Sequence, residues 1–270
     1  MDDYDFYAET PSGYTIKILS EILYNCLSDE FFLSLKKTGI SSSSKDNRKT
    51  TLLMIDLKME NFDNYKCVAD KTIAINLKHL QKLLKSIKKK DSITLFIRQN
   101  TPNKLGIRIV PTVGTKKSDR IATDYISIRE VVIMDHETID GYDFPKVIGS
   151  SDYQKMCKKM IVVPGKIMNI KIQKSNYVSF FCDGGEIMSS ELEFGTFDVN
   201  EPKCYNDVFY IDTITQLIKI PGLSPKIQIY APNDDKYPIK FKIQAGTLGT
   251  LEIYIKNKNQ IDYEETLKGL

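Results

Sequence analysis

The chain has 270 residues, 41% of them hydrophobic and 27% charged, with 38 basic against 35 acidic side chains and a net charge of +3. A chain of this size and composition buries a real core as one domain or two, which excludes a mainly disordered protein, and no apolar run approaches the ~18 residues of a membrane span. Near-neutrality argues neither for nor against nucleic acid until the charges are sorted onto faces.

The start, Met1-Asp2-Asp3-Tyr4-Asp5, is acidic and lacks the apolar stretch of a secretory signal. Ile16, Leu19, Ile22, Leu23 and Cys26 then form a stripe at helical spacing. Ser41 to Ser44, followed by Lys45, reads as a polar loop. Alternation and β-branched residues predict strands over Thr51–Met59, Tyr65–Ala69 and Ile73–Ile75. Leu77, Leu80, Leu83, Leu84 and Ile87 predict a helix over Leu77–Lys88, whose other face carries Lys78, Lys82, Lys85 and Lys89. Turn chemistry at Lys90-Asp91-Ser92 and Asn100-Thr101-Pro102-Asn103 brackets two further strands through Ile93 and Ile107. Ile128 to Tyr142 has no clean period and is rich in carboxylates, as expected of a linker.

The second half reads in the same order. Tyr153, Met156, Cys157 and Met160 make a helical stripe with Lys155, Lys158 and Lys159 opposite. Strands follow at Ile167–Ile172, Val178–Cys182 and Leu192–Phe197. Leu77 to Ile109 can then be laid over Ile211 to Ile243, 134 residues further on, with the period switching from helix to strand at the same places. Leu251–Ile255 predicts a closing strand, and Asp262-Tyr263-Glu264-Glu265 an acidic tail. The pattern therefore predicts an α+β chain of two copies of one unit, with domains at 1–127 and 143–270 and a linker at 128–142.

The five cysteines are odd in number, widely spaced and free of CxxC, which predicts reduced thiols rather than disulfides or zinc, with Cys67 and Cys157 in the core. Only two histidines occur, His79 and His136, and His79 reads as a surface residue. None of the GxGxxG, P-loop, GxSxG or HExxH signatures occurs, so neither an enzyme nor a cofactor is expected. Lysines collect on the outer faces of helices, with Lys17 on the first and Lys219 on the last. A lysine suits phosphates but reads no base edge well. The sorting fits binding to a duplex backbone without sequence preference.

Order and spacing resemble the eukaryotic-type DNA sliding clamps, the proliferating cell nuclear antigen family. The resemblance rests on Phe62-Asp63-Asn64-Tyr65-Lys66-Cys67, Gly39-Ile40 with Ser44 and Asp46, Asn76-Leu77, Asp91-Ser92-Ile93-Thr94-Leu95, Ser150-Ser151-Asp152-Tyr153 with Cys157-Lys158, and Pro238-Ile239 with Lys242-Ile243. It implies two clamp-type domains with antiparallel sheets outside and two helices each inside. Three copies join head to tail in a ring around double-stranded DNA, the edge near Ile121 to Ile128 pairing with the strand near Glu186 to Gly195 of the next copy. It implies a processivity factor that tethers DNA polymerase, other clamp-binding peptides and repair proteins, is placed on DNA by a clamp loader ATPase, and works in the nucleus or in a viral replication compartment.

Lys17, Lys82, Lys85, Lys155, Lys158 and Lys219 match basic DNA-facing positions of the family, and Lys78 adds to them. Asp212 stands where the family often has Arg. The resemblance places partner peptides at Pro238 and Tyr254, with Met134 and Ile139 from the linker and Lys45 nearby. Two other readings stay open at this point. One is a specialised clamp-like protein, either a checkpoint clamp subunit or a viral transcription-associated homologue. The other is an interaction scaffold without DNA contact.

Overall fold

A computed structural model describes residues 3–27, 30–113, 116–117, 121–132, 140–175, 177–201 and 204–268. Its elements in chain order begin with β1 (Tyr4–Thr10), α1 (Gly13–Cys26), β2 (Glu30–Lys36), β3 (Gly39–Lys45), β4 (Thr51–Lys58), β5 (Asn64–Cys67), β6 (Lys71–Asn76) and α2 (Leu77–Leu84). They continue with β7 (Ser92–Arg98), β8 (Thr101–Val110), the short β9 (Thr112–Val113) and β10 (Lys116–Lys117), β11 (Ala122–Ser127), β12 (Arg129–Val131), β13 (Lys146–Gly149) and α3 (Ser150–Ile161). The last are β14 (Ile167–Gln173), β15 (Tyr177–Asp183), β16 (Ser189–Phe194), β17 (Cys204–Tyr210), α4 (Ile211–Thr215), β18 (Lys226–Tyr230), β19 (Ile239–Ala245), β20 (Gly249–Ile255) and α5 (Lys258–Lys268).

The chain divides into two compact units. The first comprises Met1–Asn47, Leu53–His136 and Gln244–Leu251; the second comprises Arg48–Leu52, Glu137–Ile243 and Glu252–Leu270. In the first unit one sheet runs β11-β8-β7-β1-β5, and a second run of strands is ordered β12-β6-β2-β3-β4. In the second unit the corresponding orders are β20-β19-β18-β13 and β16-β15-β14-β17. Matching β1 to β13, β2 to β14, β7 to β18 and β8 to β19 carries one order onto the other. The internal repeat seen as a periodicity is thus a repeat of topology, and α2 and α4 begin at Leu77 and Ile211, the pair that opens the sequence overlay.

Each unit closes its core between sheets and a helix pair. Ile18, Leu19, Ile22 and Leu23 of α1 and Leu77, Leu80 and Leu84 of α2 are buried, as are Tyr153, Met156, Cys157 and Met160 of α3 with Ile211 and Ile214 of α4. These are the stripes that the 3.6-residue period marks, except that on α1 Ile18 is buried and Ile16, expected in the stripe, is only partly so. Among the described residues no helix is long and apolar enough to cross a membrane.

Several expectations are corrected. The Leu77–Lys88 helix stops at Leu84, because Lys85 and Ile87 donate to the carbonyls three residues back and the Asp91 carboxylate accepts from the Lys88 amide at 2.8 Å. The last helix is one turn of α4 continued as a 3-10 segment over Gln216–Gly222. Pro221 lies inside that segment, and the Thr215 hydroxyl bonds back to the Ile211 carbonyl. Ser41 to Ser44 are not a loop but the middle of β3. The Ser42 hydroxyl donates to the Phe32 carbonyl at 2.7 Å, which satisfies that buried hydroxyl of the run.

Part of the expected linker is also ordered. Arg129–Val131 pairs antiparallel with Thr72–Ala74 of β6, and the Arg129 guanidinium grips both oxygens of Glu30 at 2.7 and 2.8 Å. The acidic tail is a helix, α5, opened by a reciprocal cap: the Gln260 amide donates to Asn257 Oδ1 and the Asn257 amide to Gln260 Oε1. All five thiols are free; Cys67 is only half-buried, whereas burial pushes Cys26 and Cys157 up to about 12, out of the nucleophilic range.

Gly39 opens β3 at φ +143, and a Cβ there would sit 2.1 Å from the Leu57 carbonyl oxygen on the neighbouring strand. Both the backbone conformation and the close approach demand glycine. Gly39→Ala is expected to lower the free energy of unfolding by about 2 kcal/mol or more, read as a lower urea midpoint at unchanged slope.

Candidate nucleic-acid interface and partner cleft

In the first unit, α2 begins at Asn76, whose side chain accepts from the His79 amide at 3.0 Å and so satisfies an orphan N–H of the first turn. The burial of Leu77, Leu80 and Leu84 turns Lys78, Lys82 and Lys85 to solvent, and all three are exposed. None of the three ammonium groups has a carboxylate partner among the described residues. His79 is exposed beside them, at the mouth of a shallow hollow bounded by Tyr125, Ile126 and Ser127 of β11.

Lys17 behaves differently. Its Nζ donates to the carbonyls of Lys85 and Ile87 at 2.8 and 3.0 Å, and so caps the frayed end of α2. In the second unit Gln154 Nε2 donates to the Ile218 carbonyl at 2.9 Å. Counted from the helix starts at Gly13 and Ser150, Lys17 and Gln154 hold the same position. Both brace the first helix of a unit onto the end of the second. Two of the three ammonium protons of Lys17 are therefore committed to carbonyls. Lys17→Met is expected to cost about 1.5–3 kcal/mol of stability, while Lys17→Gln, which copies the other unit, costs less; thermal melts of the two variants decide it.

On α3, Lys155 and Lys158 are exposed opposite the buried stripe. Lys155 lies 2.9 Å from Asp152, one turn away, whereas Lys158 has no partner among the described residues. Lys219 is exposed at the end of the 3-10 segment. Asp212 is exposed in the first turn of α4, where its carboxylate accepts from the Thr213 amide at 2.8 Å. A negative charge there suits the helix N-terminus, which gives Asp212 a local role of its own. Each unit thus presents a helix pair whose solvent side is basic and whose flexible ammonium groups suit phosphates.

Two strand edges bear apolar side chains. Among the described residues β11 pairs only with β8, and Ile121 is exposed just before it; β16 pairs only with β15, and Ile187 and Met188 are exposed just before it. Open edges of this kind are templates for another strand.

A cleft of about 1110 Å³ lies wholly in the second unit, between the β18–β19 connection, β17 and α5; Phe144, Pro238, Tyr263 and Leu267 give it apolar walls and Asp207 and Asn257 a polar floor. Burial raises the Asp207 carboxyl above its ordinary range, against the hydrogen bonds from the Val208 amide, Asn257 and Tyr205. Pro238, one of the residues expected at a partner site, lines this cleft. Tyr254 does not: it is 1% exposed, packed against the Tyr142 ring, with its hydroxyl on Glu252 at 2.8 Å. Lys45 is exposed at the end of β3 in the first unit, and Met134 and Ile139 lie outside the described residues.

Sequence reasoning missed the group that surrounds Tyr254. Lys240 Nζ stands over the rings of Tyr142, Tyr230 and Tyr254 at 5.6, 5.4 and 5.4 Å and meets Glu252 at 2.9 Å, with Lys242 on the other carboxylate oxygen at 2.8 Å. The Tyr142 hydroxyl donates to the Pro238 carbonyl at 2.9 Å, so this cluster also sets one wall of the cleft. The available signal was period two: Lys240 and Lys242 alternate with Ile239, Phe241 and Ile243, which places both lysines on one face. Among the described residues no group of three or more His, Cys, Asp or Glu could hold a metal ion.

Comparison with known proteins agrees with this arrangement. Residues 6–136 match the family model described as proliferating cell nuclear antigen, N-terminal domain. The chain is 27% identical over 266 residues to a probable DNA polymerase sliding clamp of Paramecium bursaria Chlorella virus 1, covering 94% of this chain and 98% of that protein. It is 24% identical to the proliferating cell nuclear antigen of Caenorhabditis elegans, covering 97% and 99%. The crystal structure of the Entamoeba histolytica protein of the same name superposes with a TM-score of 0.80 at 17% identity, covering 94% of this chain and 99% of that one.

Proposed function

The chain belongs to the proliferating cell nuclear antigen family, and from that membership we propose that it works as a DNA polymerase sliding clamp, a ring that encircles duplex DNA and tethers proteins to it. The observation that carries the reading is the repeat. Two units of one topology each present a helix pair with a basic solvent side, and strand edges on β11 and β16 are open for pairing.

Three copies joined head to tail through β11 of one and β16 of the next would close into a ring with six helix pairs lining the hole. Strand pairing at those edges would satisfy their open N–H and C=O groups and cover Ile121, Ile187 and Met188. Lys78, Lys82, Lys85, Lys155, Lys158 and Lys219 then face the phosphates, with Lys17 holding α2 in place. Flexible point charges neutralise a backbone without reading bases, so the ring slides. Linkage rather than affinity holds it: a closed ring leaves a circular duplex only by opening. The tether raises the local concentration of a bound polymerase, and this needs scaffolding rather than catalysis.

The partner site is the cleft beside Pro238, which a short peptide of a polymerase or repair protein would enter. A loader that opens the ring belongs to the same reading, as does work in the nucleus or a viral replication compartment.

Two measurements test this. Mass in solution is expected at three times 30.9 kDa. Protein loaded on a nicked circular plasmid is expected to stay through a high-salt wash and to be released when the plasmid is linearised. A monomer, or equal retention on linear and circular DNA, overturns the ring.

A further inference from the structure

The first unit carries a second cluster, on the face of its sheet turned away from the core. Along β7, Ile93, Leu95 and Ile97 point into the core, so Thr94, Phe96 and Arg98 point the other way. Pairing places Tyr7 of β1 and Gly106 of β8 on either side of Phe96, and Tyr125 of β11 beyond Gly106. Phe96 is nonetheless 1% exposed.

Its burial has a visible cause. A Cβ on Gly106 would fall 2.3 Å from the Phe96 ring, so the ring lies across that glycine. Tyr4 and Tyr125 meet it edge-on, with centroids at 5.5 and 6.0 Å, and Tyr4 packs on Tyr7 at 5.3 Å. The guanidinium groups of Arg98 and Arg108 stand over the same ring at 5.6 and 5.3 Å.

Stacking uses the flat faces of these two guanidinium groups and leaves their N–H edges for another partner. Neither forms an ion pair with a carboxylate among the described residues. Glu9 is the acidic group on the same face, and the Tyr7 hydroxyl and Asn64 already hold its carboxylate at 3.0 and 3.1 Å. The result is a half-exposed platform of tyrosines and two arginines fixed by a buried ring. This is the composition and rigidity of protein-binding hot spots.

We infer that this sheet face is a docking surface for an acidic segment of a partner protein, whose carboxylates pair with the open edges of Arg98 and Arg108 while its backbone lies on Tyr4, Tyr7 and Tyr125. Charge complementarity selects the occupant: a forked guanidinium matches a carboxylate in bidentate fashion. Lys66, opposite Tyr7, is a further cation at the margin of this face, and a duplex would need a longer row than these three and would meet Glu9. The surface is separate from the basic helix faces and from the cleft in the second unit.

The test uses an octa-glutamate peptide carrying a fluorophore at one end and a photo-crosslinker at the other, with full-length protein at low salt. The peptide is expected to bind the wild type and to crosslink to β1, β7, β8 or β11 in mass-spectrometric mapping. Arg98→Gln/Arg108→Gln is expected to weaken binding about tenfold or more, Arg98→Lys/Arg108→Lys by less, and Lys166→Glu, an exposed residue in the second unit, not at all. Gly106→Val, which displaces Phe96 and leaves both arginines, is expected to weaken binding as well. Absence of binding, crosslinks confined to the lysine-bearing helices, or equal binding by the glutamine variant would each overturn the inference. So would a drop in duplex DNA binding by the glutamine variant with peptide binding unchanged.

Discussion

A chain carrying Lys82→Glu, Lys85→Glu, Lys155→Glu and Lys158→Glu is expected to assemble like the wild type and to lose DNA-dependent stimulation of its polymerase. The four side chains are exposed on α2, at its C-terminal cap and on α3, and none of them belongs to β11 or β16; Lys82 borders the hollow beside β11, so mass in solution is measured on the variant as well. Each surface ammonium near a phosphate contributes on the order of 1 kcal/mol in water, and reversal replaces attraction by repulsion of similar size. Retention on circular DNA should therefore fall by well over about tenfold, most steeply at low salt. Lys155→Glu acts twice, because it also leaves Asp152 unpaired on the same face. Titration of any residual duplex binding gives a second readout. The wild type should lose roughly 0.9 log units of affinity per log unit of salt for each phosphate neutralised, and the variant should show a shallower slope. Unchanged processive synthesis by an intact trimer would remove the DNA-facing assignment.

Lys17 stands apart from these four lysines, because its ammonium is held by the carbonyls of Lys85 and Ile87. Its position on an otherwise basic helix pair made it look like the rest, and helical periodicity carries no information on whether an ammonium meets water or a carbonyl. The answer lies in the end of α2, which stops short of the expected Lys88 and leaves the carbonyls of Lys85 and Ile87 to be satisfied. The internal repeat could have revealed it, since Gln154 occupies the same position and lysine and glutamine share only the ability to donate.

The core was legible because burial imposes a period. Leu77, Leu80 and Leu84, or Tyr153, Met156 and Met160, are buried where the spacing puts them. What the pattern missed depends on partners distant in sequence. Ser41 to Ser44 form a strand in which the Ser42 hydroxyl meets the Phe32 carbonyl and the Ser44 hydroxyl while the Ser43 hydroxyl is buried without a hydrogen-bond partner among the described residues, and serine content alone reads as a loop. The helix α5 did leave a local signal, Asn257 with Gln260 three residues on, which an acidic-tail reading passes over. Tyr254 could be assigned to a peptide site by resemblance, but its burial under Tyr142 follows from a tyrosine 112 positions earlier and from Glu252 two residues before it.

Replacing Glu252 is expected to produce the largest loss of stability in the second unit. Its side chain is 17% exposed and accepts from Lys240, Lys242 and the Tyr254 hydroxyl at once. Burial opposes its ionisation, but the hydrogen bonds from Lys242, Lys240 and Tyr254 and the charge of Lys240 outweigh that and hold the carboxyl at about 2, against an ordinary 4.5. A folded-state value below the unfolded one stabilises the protein above about pH 4.5, and the contribution is lost as pH falls from there toward 2. A tenfold change in proton affinity between the folded and unfolded chain is worth about 1.4 kcal/mol, so the contribution at neutral pH is about 2–3 kcal/mol after allowance for partial exposure. Glu252→Ala loses this and leaves Lys240 inside three tyrosine rings without its counter-charge, for a total of about 3–5 kcal/mol. The double variant Glu252→Ala/Lys240→Met removes the stranded charge and should recover part of that loss, because packing on Tyr142, Tyr230 and Tyr254 survives. Urea unfolding at pH 7 and at pH 3 separates the terms. The wild type should lose stability between the two, whereas Glu252→Ala should lose about 2 kcal/mol less, and an equal loss in both would mean that this carboxylate does not set the acid limb.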